Sequence, residues 1–135
     1  MLSRLDTSSL TPPSIVPFSI AQRDLDEHCS VMAIEGELDL ATAPRLKWTL
    51  VDALAAGRTR FVVDLSRASF MDSTALGVLV GVNRSLASDA RLAIVCGGDA
   101  VSKIFELSGM DGVFAIFPTL ELALGHVRDR SAEVG

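Results

Sequence analysis

Short apolar runs typical of strands alternate with amphipathic segments of helical period along most of this chain. The run Arg60 to Leu65 is rich in β-branched residues, as expected for a strand that is covered on both faces. Before it, Leu46 and Leu50 recur at helical spacing in a segment from about Ala43 to Ala56, where Thr42 is a natural N-cap. Such alternation predicts an α/β fold with right-handed crossovers.

The remaining elements complete this pattern. Two runs at the start, Phe18 to Arg23 and Val31 to Gly36, predict an antiparallel edge hairpin. Later segments predict helices or strands at Ala75 to about Ala87, Leu92 to Cys96, Asp99 to Leu107, Val113 to Phe117 and Thr119 to Val127. The sequence therefore predicts an α/β sandwich with a mixed, mostly parallel sheet, an antiparallel edge strand and about four helices.

Length and charge limit the classes of function. The chain has 135 residues, 49% of them hydrophobic, which fits one domain with a core of its own. Its formal net charge of −5 offers no basic surface to a nucleic acid, so a nucleic-acid partner is not expected. We predict a flexible arm over residues 1–16, one domain over residues 17–128 and a short tail over residues 129–135.

The compartment is inferred from the cysteines and from hydropathy. Cys29 and Cys96 lie in or beside strand-like runs, without a second Cys or His at ligand spacing, and are predicted to be reduced core residues. No apolar stretch approaches the roughly 20 residues of a membrane span. We therefore expect a cytoplasmic protein with no membrane association, no metal and no cofactor.

Two segments follow predicted strands and compete for the functional crevice, which in parallel sheets lies beyond the carboxyl ends of the strands. They are Gly36 to Asp39 and Ser69 to Thr74, both interpreted as loops. Taken alone, Ser73 is interpreted as an ordinary helix cap. Asp72 is either a cap or a group that orients a neighbouring hydroxyl, and Asp39 is either a turn carboxylate or a recognition residue.

Two glycines, Gly77 and Gly81, lie one turn apart in the helix that follows Ser73. Each lowers helix propensity by about 1 kcal/mol relative to Ala. We therefore predict that they allow this helix to approach the sheet closely.

Three strings together resemble the STAS domains of bacterial anti-sigma factor antagonists. They are the string Phe70 to Val78 (FMDSTALGV), the pair Gly36 to Asp39 (GELD) and Ala43 to Leu46 (APRL), and Phe105 to Met110 (FELSGM). The resemblance covers Phe18 to Val127 and implies a STAS-type sandwich. It makes Ser73 the phosphoacceptor, with Thr74 as the alternative, and implies a partner surface comprising Glu37, Asp39, Met71, Asp72, Ser73, Thr74, Ala75 and Leu76.

The resemblance also implies a partner switch in transcription regulation. The unphosphorylated antagonist binds an anti-sigma factor that is itself a GHKL-type serine kinase, which frees the sigma factor, and phosphorylation of Ser73 reverses this. A phosphoserine phosphatase would restore the active form. Free N–H groups at the helix N-terminus are expected to tolerate the phosphate charge. Family members commonly have Gly at the position of Ala75, and the added methyl is expected to tighten the approach of a partner.

Competing functions find less support in the sequence. A hydrolase elbow and a phosphate-binding loop are both missing, and the two histidines, His28 and His126, fall in an opening turn and the last helix, so we predict no enzyme. Trp48 is expected on the flank of the first helix, where an exposed Trp would suit an interface. The alternative function is a scaffolding, sensory or small-ligand-binding STAS module.

Overall fold

The computed structural model describes residues 16–97 and 99–128, so the predicted arm and tail lie almost entirely outside the described residues. Five strands form one sheet in the order β1-β2-β3-β4-β5. They are β1 (Ser19–Asp24), β2 (Cys29–Leu38), β3 (Arg60–Met71), β4 (Arg91–Val95) and β5 (Ala115–Phe117). The four helices are α1 (Ala43–Ala55), α2 (Ser73–Ser85), α3 (Asp99–Ser108) and α4 (Leu120–Arg128), with a short 3-10 helix at Met110–Gly112.

The predicted fold class is confirmed. β1 pairs antiparallel with β2, whereas the pairs β2–β3, β3–β4 and β4–β5 are parallel. Each predicted strand and helix is present, with ends that differ by a few residues in most cases. The sheet is therefore mixed and mostly parallel, with β1 as its antiparallel edge strand.

Both segments that were interpreted as loops after strands lie largely in regular secondary structure. β2 and β3 continue to pair as far as Leu38 opposite Met71, across two register shifts that fall between Ala33 and Glu35 and between Gly36 and Glu37. The prediction that Gly36 to Asp39 and Ser69 to Thr74 are loops is wrong over most of their length. The first three residues of each segment belong to the paired strands β2 and β3, and Ser73 and Thr74 belong to α2. Asp39 and Asp72 are the first residues beyond the strand ends.

The sheet is covered unequally on its two faces. Helices α1, α2 and α3 pack on one face around a large core that includes Phe61, Leu65 and Phe105. Of the helices in the described ranges, α4 alone packs on the other face, through Ala123 and Val127 against β3 and β4. Cys29 and Cys96 are buried free thiols, as predicted, and burial raises the pKa of both.

The glycines of α2 do not have the role predicted from the sequence. A Cβ added at Gly77 or Gly81 would meet no atom within 4 Å, and both residues are exposed. The prediction that they bring α2 close to the sheet is wrong, because the buried face of the helix is formed by other residues, namely Ala75, Leu76, Leu79 and Val82. The two glycines instead line a groove of about 530 Å³ between α1 and α2.

Within the described part of the chain, no helix is both long and apolar enough to cross a membrane.

Candidate functional site

The ends of β2 and β3 bring the two predicted segments together. Leu38 and Met71 are register partners, and the N–H of Asp72 donates to the carbonyl of Leu38 at 3.1 Å. Asp39 and Asp72 are the residues that follow this pair. The site therefore consists of two adjacent strand ends and the helices α1 and α2 that leave them.

Asp72 is the N-cap of α2. Its backbone is extended, with φ −106° and ψ −178°, and its Oδ1 accepts hydrogen bonds from the N–H groups of Thr74 at 3.0 Å and Ala75 at 3.1 Å. An aspartate is among the best residues for this position because it satisfies amide donors that the helix leaves unpaired. The interpretation of Ser73 as the cap is therefore wrong, and the capping interpretation of Asp72 is confirmed.

Ser73 and Thr74 form the first turn of α2 and are both exposed. Among the described residues, no hydrogen bond to the side-chain hydroxyl of either residue is found. Thr74 lines the groove between α1 and α2, whereas Ser73 is not among its lining residues. Both hydroxyls are accessible, but they face different surroundings.

Asp39 closes the turn between β2 and α1. Its Oδ1 accepts hydrogen bonds from the N–H groups of Ala41 at 2.9 Å and Thr42 at 3.1 Å. The hydroxyl of Thr42 donates to the carbonyl of Glu37 at 2.8 Å and accepts from the N–H of Asp39. Thr42 occupies the N-cap position of α1 without capping it through its side chain, so the predicted cap is wrong in that respect.

Three residues of the predicted partner surface are buried. The exposed fractions of Met71, Ala75 and Leu76 are 1%, 0% and 9%, and all three belong to the core beneath α1 and α2. They support the site from below and present little or no surface to a partner. The methyl of Ala75 points into this core, which contradicts the expectation that it tightens a partner's approach.

Exposed apolar side chains near the site were not predicted. Phe70 is the register partner of Glu37, and both are exposed, while Leu40 is exposed in the turn after Asp39. The alternation of a strand gives the signal for Phe70, because its neighbour Met71 faces the core. Trp48 is also exposed, on α1, where the ammonium of Lys47 lies 5.4 Å from its ring centroid.

The arrangement favours binding over catalysis. His28 precedes β2, whose 10 residues span roughly 30 Å. It therefore lies at the end of the strands opposite to Ser73. No group of three or more His, Cys, Asp or Glu side chains in the described ranges is arranged to hold a metal ion. What the described residues bring together is two accessible hydroxyls, three carboxylates (Glu37, Asp39 and Asp72) and exposed apolar side chains.

Comparison with known proteins identifies the family. Residues 21–123 match the model of the STAS domain family. The chain belongs to that family. The anti-sigma-F factor antagonist RsfB of Mycobacterium tuberculosis is 32% identical to it over 99 residues, which cover 73% of this chain and 81% of RsfB. The relatives' names describe regulatory proteins, which agrees with the prediction that this STAS protein is not an enzyme.

Solved structures agree with this assignment. The crystal structure of an anti-sigma factor antagonist from Mycobacterium paratuberculosis has a TM-score of 0.79 at 32% identity and covers 89% of this chain and 100% of its own. Unphosphorylated SpoIIAA, an anti-sigma factor antagonist, has a TM-score of 0.72 at 26% identity, covering 82% of this chain and 97% of its own. The phosphorylated form of SpoIIAA from Bacillus has a TM-score of 0.64 at 25% identity, covering 82% and 100%.

Proposed function

We propose that this STAS protein is an anti-sigma factor antagonist controlled by phosphorylation of Ser73. In its unphosphorylated form it binds an anti-sigma factor that is a GHKL-type serine kinase, and the sigma factor is released. The kinase inactivates it by phosphorylating Ser73, and a phosphoserine phosphatase reverses the modification. The functional unit is residues 17–128, acting in the cytoplasm.

The observation that carries this proposal is the state of the Ser73 hydroxyl. It is exposed at the first residue of α2 and has no hydrogen-bond partner among the described residues, because Asp72 takes the capping position. A kinase therefore meets a hydroxyl that the fold does not use. Thr74 is also exposed, but the family pattern favours the serine directly after the aspartate.

Electrostatics explain how one phosphate could abolish binding. It adds about −1.5 to −2 charges beside Asp72, which is hydrogen-bonded to the strand end that leads directly to Asp39. Docking a partner would remove water from these charges, and like charges brought together across an interface cost several kcal/mol. Because each 1.4 kcal/mol is a factor of ten, a loss of at least about 100-fold in affinity is expected.

Site mapping tests the assignment of the phosphoacceptor. Each GHKL-type anti-sigma kinase encoded in the source genome is purified and incubated with ATP and the full chain, and the phosphosite is located by mass spectrometry. We expect one phosphate on Ser73, none after Ser73→Ala, and unchanged incorporation in the matched variant Thr74→Val. Incorporation that survives Ser73→Ala and is lost in Thr74→Val would assign the switch to Thr74 instead.

The same incubation separates the alternative function. A scaffolding, sensory or ligand-binding STAS module would neither accept a phosphate from any of these kinases nor bind them. Failure of every kinase to bind or modify the chain would therefore contradict the antagonist proposal as a whole.

A further inference from the structure

The N-terminus of α2 has few amide donors left for a phosphate. The N–H groups of Thr74 and Ala75 both donate to Oδ1 of Asp72, and the N–H of Leu76 donates to the carbonyl of Asp72 at 3.1 Å. Of the first four helical N–H groups, only that of Ser73 is without such a partner within the described chain. Most of the amide groups that were expected to tolerate the phosphate charge are therefore already occupied in the unmodified chain.

Among the described residues, the charged groups of β2, of α1 and of the turn between them are either anions or cations that already contact an aromatic ring. Asp39 is an anion whose Oδ1 is already occupied by the turn before α1, and Glu37 is a second, exposed anion. On α1, Lys47 lines the same groove as Thr74, but its ammonium lies over the ring of Trp48. The guanidinium of Arg45, in the first turn of α1, lies over the ring of Phe18, 4.9 Å from its centroid. A phosphate on Ser73 would thus stand beside carboxylates, with Asp72 the nearest along the chain.

We propose that Asp72 is a positioning residue for the switch. Because Asp72 occupies the amide groups of Thr74 and Ala75, a phosphate on Ser73 does not bind them and keeps its full charge. This inference rests on the proposed function, since it concerns the modified form of Ser73. The physical reason is competition. If the phosphate displaced Asp72 from the Thr74 and Ala75 amides, the helix would partly neutralise it and the repulsion toward a partner would weaken.

Titration of the phosphate tests this without any kinase. Phosphoserine is incorporated at position 73 during translation, and its second pKa is measured by ³¹P NMR in the full chain with Asp72, with Asp72→Asn and with Asp89→Asn. Asparagine caps helices as well as aspartate does, so Asp72→Asn removes the charge and keeps the cap. Asp89→Asn is the matched control, because Asp89 lies beyond the far end of α2, whose 13 residues span about 20 Å, well over a Debye length.

The expected result is a second pKa lower in Asp72→Asn than in the chain with Asp72, by about half a unit or more, since a neighbouring anion disfavours the dianion. Asp89→Asn should leave that pKa unchanged. A pKa equal or higher in Asp72→Asn would overturn the proposal.

A second measurement needs no variant at Asp72. The amide proton shifts of Thr74 and Ala75 are followed through the phosphate titration, and they should change only slightly because both groups keep their hydrogen bonds to Asp72. Large shifts that titrate with the phosphate would show that it has displaced Asp72, and would overturn the proposal. Either failure leaves the phosphosite mapping intact, so it is distinguishable from failure of the proposed function.

Discussion

Gly36 is the residue whose backbone most constrains the edge of the site. Its φ is +90°, and a Cβ added there would lie 2.9 Å from both the carbonyl oxygen of Val16 and the Cα of Phe18. The chain entering β1 thus crosses β2 at a distance that only glycine allows. This crossing holds the start of the described chain against the strand that leads to Asp39.

Gly36→Ala is expected to destabilise the fold more than Gly57→Ala. Gly57 has a similar φ of +95° but open space around it, so its substitution adds only the conformational cost of about 1–2 kcal/mol. Gly36→Ala adds to this a steric overlap with backbone, which typically costs a further 1–3 kcal/mol or so. Urea unfolding of both variants measures the difference, and equal free energies of unfolding would contradict the account.

Some properties of the site residues could be predicted from sequence and others could not. The string FMDSTALGV places Asp72 directly before Ser73. The proximity of Asp39 to Asp72 could be predicted because the carboxyl ends of parallel strands lie at the same end of a sheet. The burial of Ala75 was not visible, because it depends on which face of α2 turns toward α1 and the sheet. The capping role of Asp72 depends in the same way on where β3 ends.

At the scale of elements, α2 carries a helix-propensity cost that its own packing does not explain. Gly77 and Gly81 lie on its exposed face, beside the groove between α1 and α2. The sequence pattern could place α2 and its glycines but could not orient them, since the period of a helix does not say which neighbour each face meets.

Gly77→Ala and Gly81→Ala are each expected to stabilise the protein by about 0.5–1 kcal/mol, because a Cβ enters open space at a helical position. Gly125→Ala in α4 is the matched comparison, since a Cβ there also meets nothing within 4 Å. Thermal and urea unfolding of the three variants checks this. A loss of stability in the α2 variants alone would mean that these glycines are packed after all.

The lengths of β2 and β3 could not be predicted from the sequence. Gly36 and the polar residues of β3 are typical of a loop, but the two strands pair with each other from their first residues to their last. Pairing between neighbouring backbones decided the outcome, and single-strand propensity carries no information about it.

In the whole molecule, the end of the sheet farthest from Ser73, where β2 and β3 begin, is stabilised by hydrogen bonds from charged side chains. Arg58 donates to Oδ2 of Asp24 at 2.9 Å and to the carbonyls of Asp26 and Glu27 at 3.0 and 2.6 Å. Asp24 also accepts from the hydroxyl of Ser30 and from Gln22, and Arg128 at the end of α4 pairs with Asp26 at 3.0 Å. This network joins the β1–β2 turn to the start of β3 and to α4.

These contacts predict a dependence of stability on pH. Hydrogen bonds from Ser30 and Gln22, with Arg58 nearby, lower the pKa of Asp24 below its ordinary value of 3.8. A carboxylate whose pKa is lowered by folding stabilises the fold above the unfolded pKa and loses that effect as the pH falls through the folded pKa. Asp24→Asn should therefore be less stable than the parent chain at pH 7. The difference in free energy of unfolding between the two proteins should decrease from about pH 5 downward and disappear below pH 3.8. Urea unfolding as a function of pH measures it, and a gap independent of pH would contradict this assignment.

The architecture as a whole was the most predictable level. Alternating strand and helix patterns predicted the parallel sheet, the edge hairpin and four helices, because burial on one or both faces of an element produces a characteristic spacing of apolar residues. The unequal cover of the two faces was not predicted, since it depends on which side of the sheet each crossover takes.

In the proposed switch, one phosphate on Ser73 decides whether the partner binds. Isothermal titration of the anti-sigma kinase that modifies this chain, with the unmodified form, the form phosphorylated at Ser73 and Thr74→Val, tests it most directly. We expect tight binding of the unmodified chain and of Thr74→Val, and an affinity lower by about 100-fold or more for the phosphorylated form. Equal affinities of the unmodified and phosphorylated forms would contradict it.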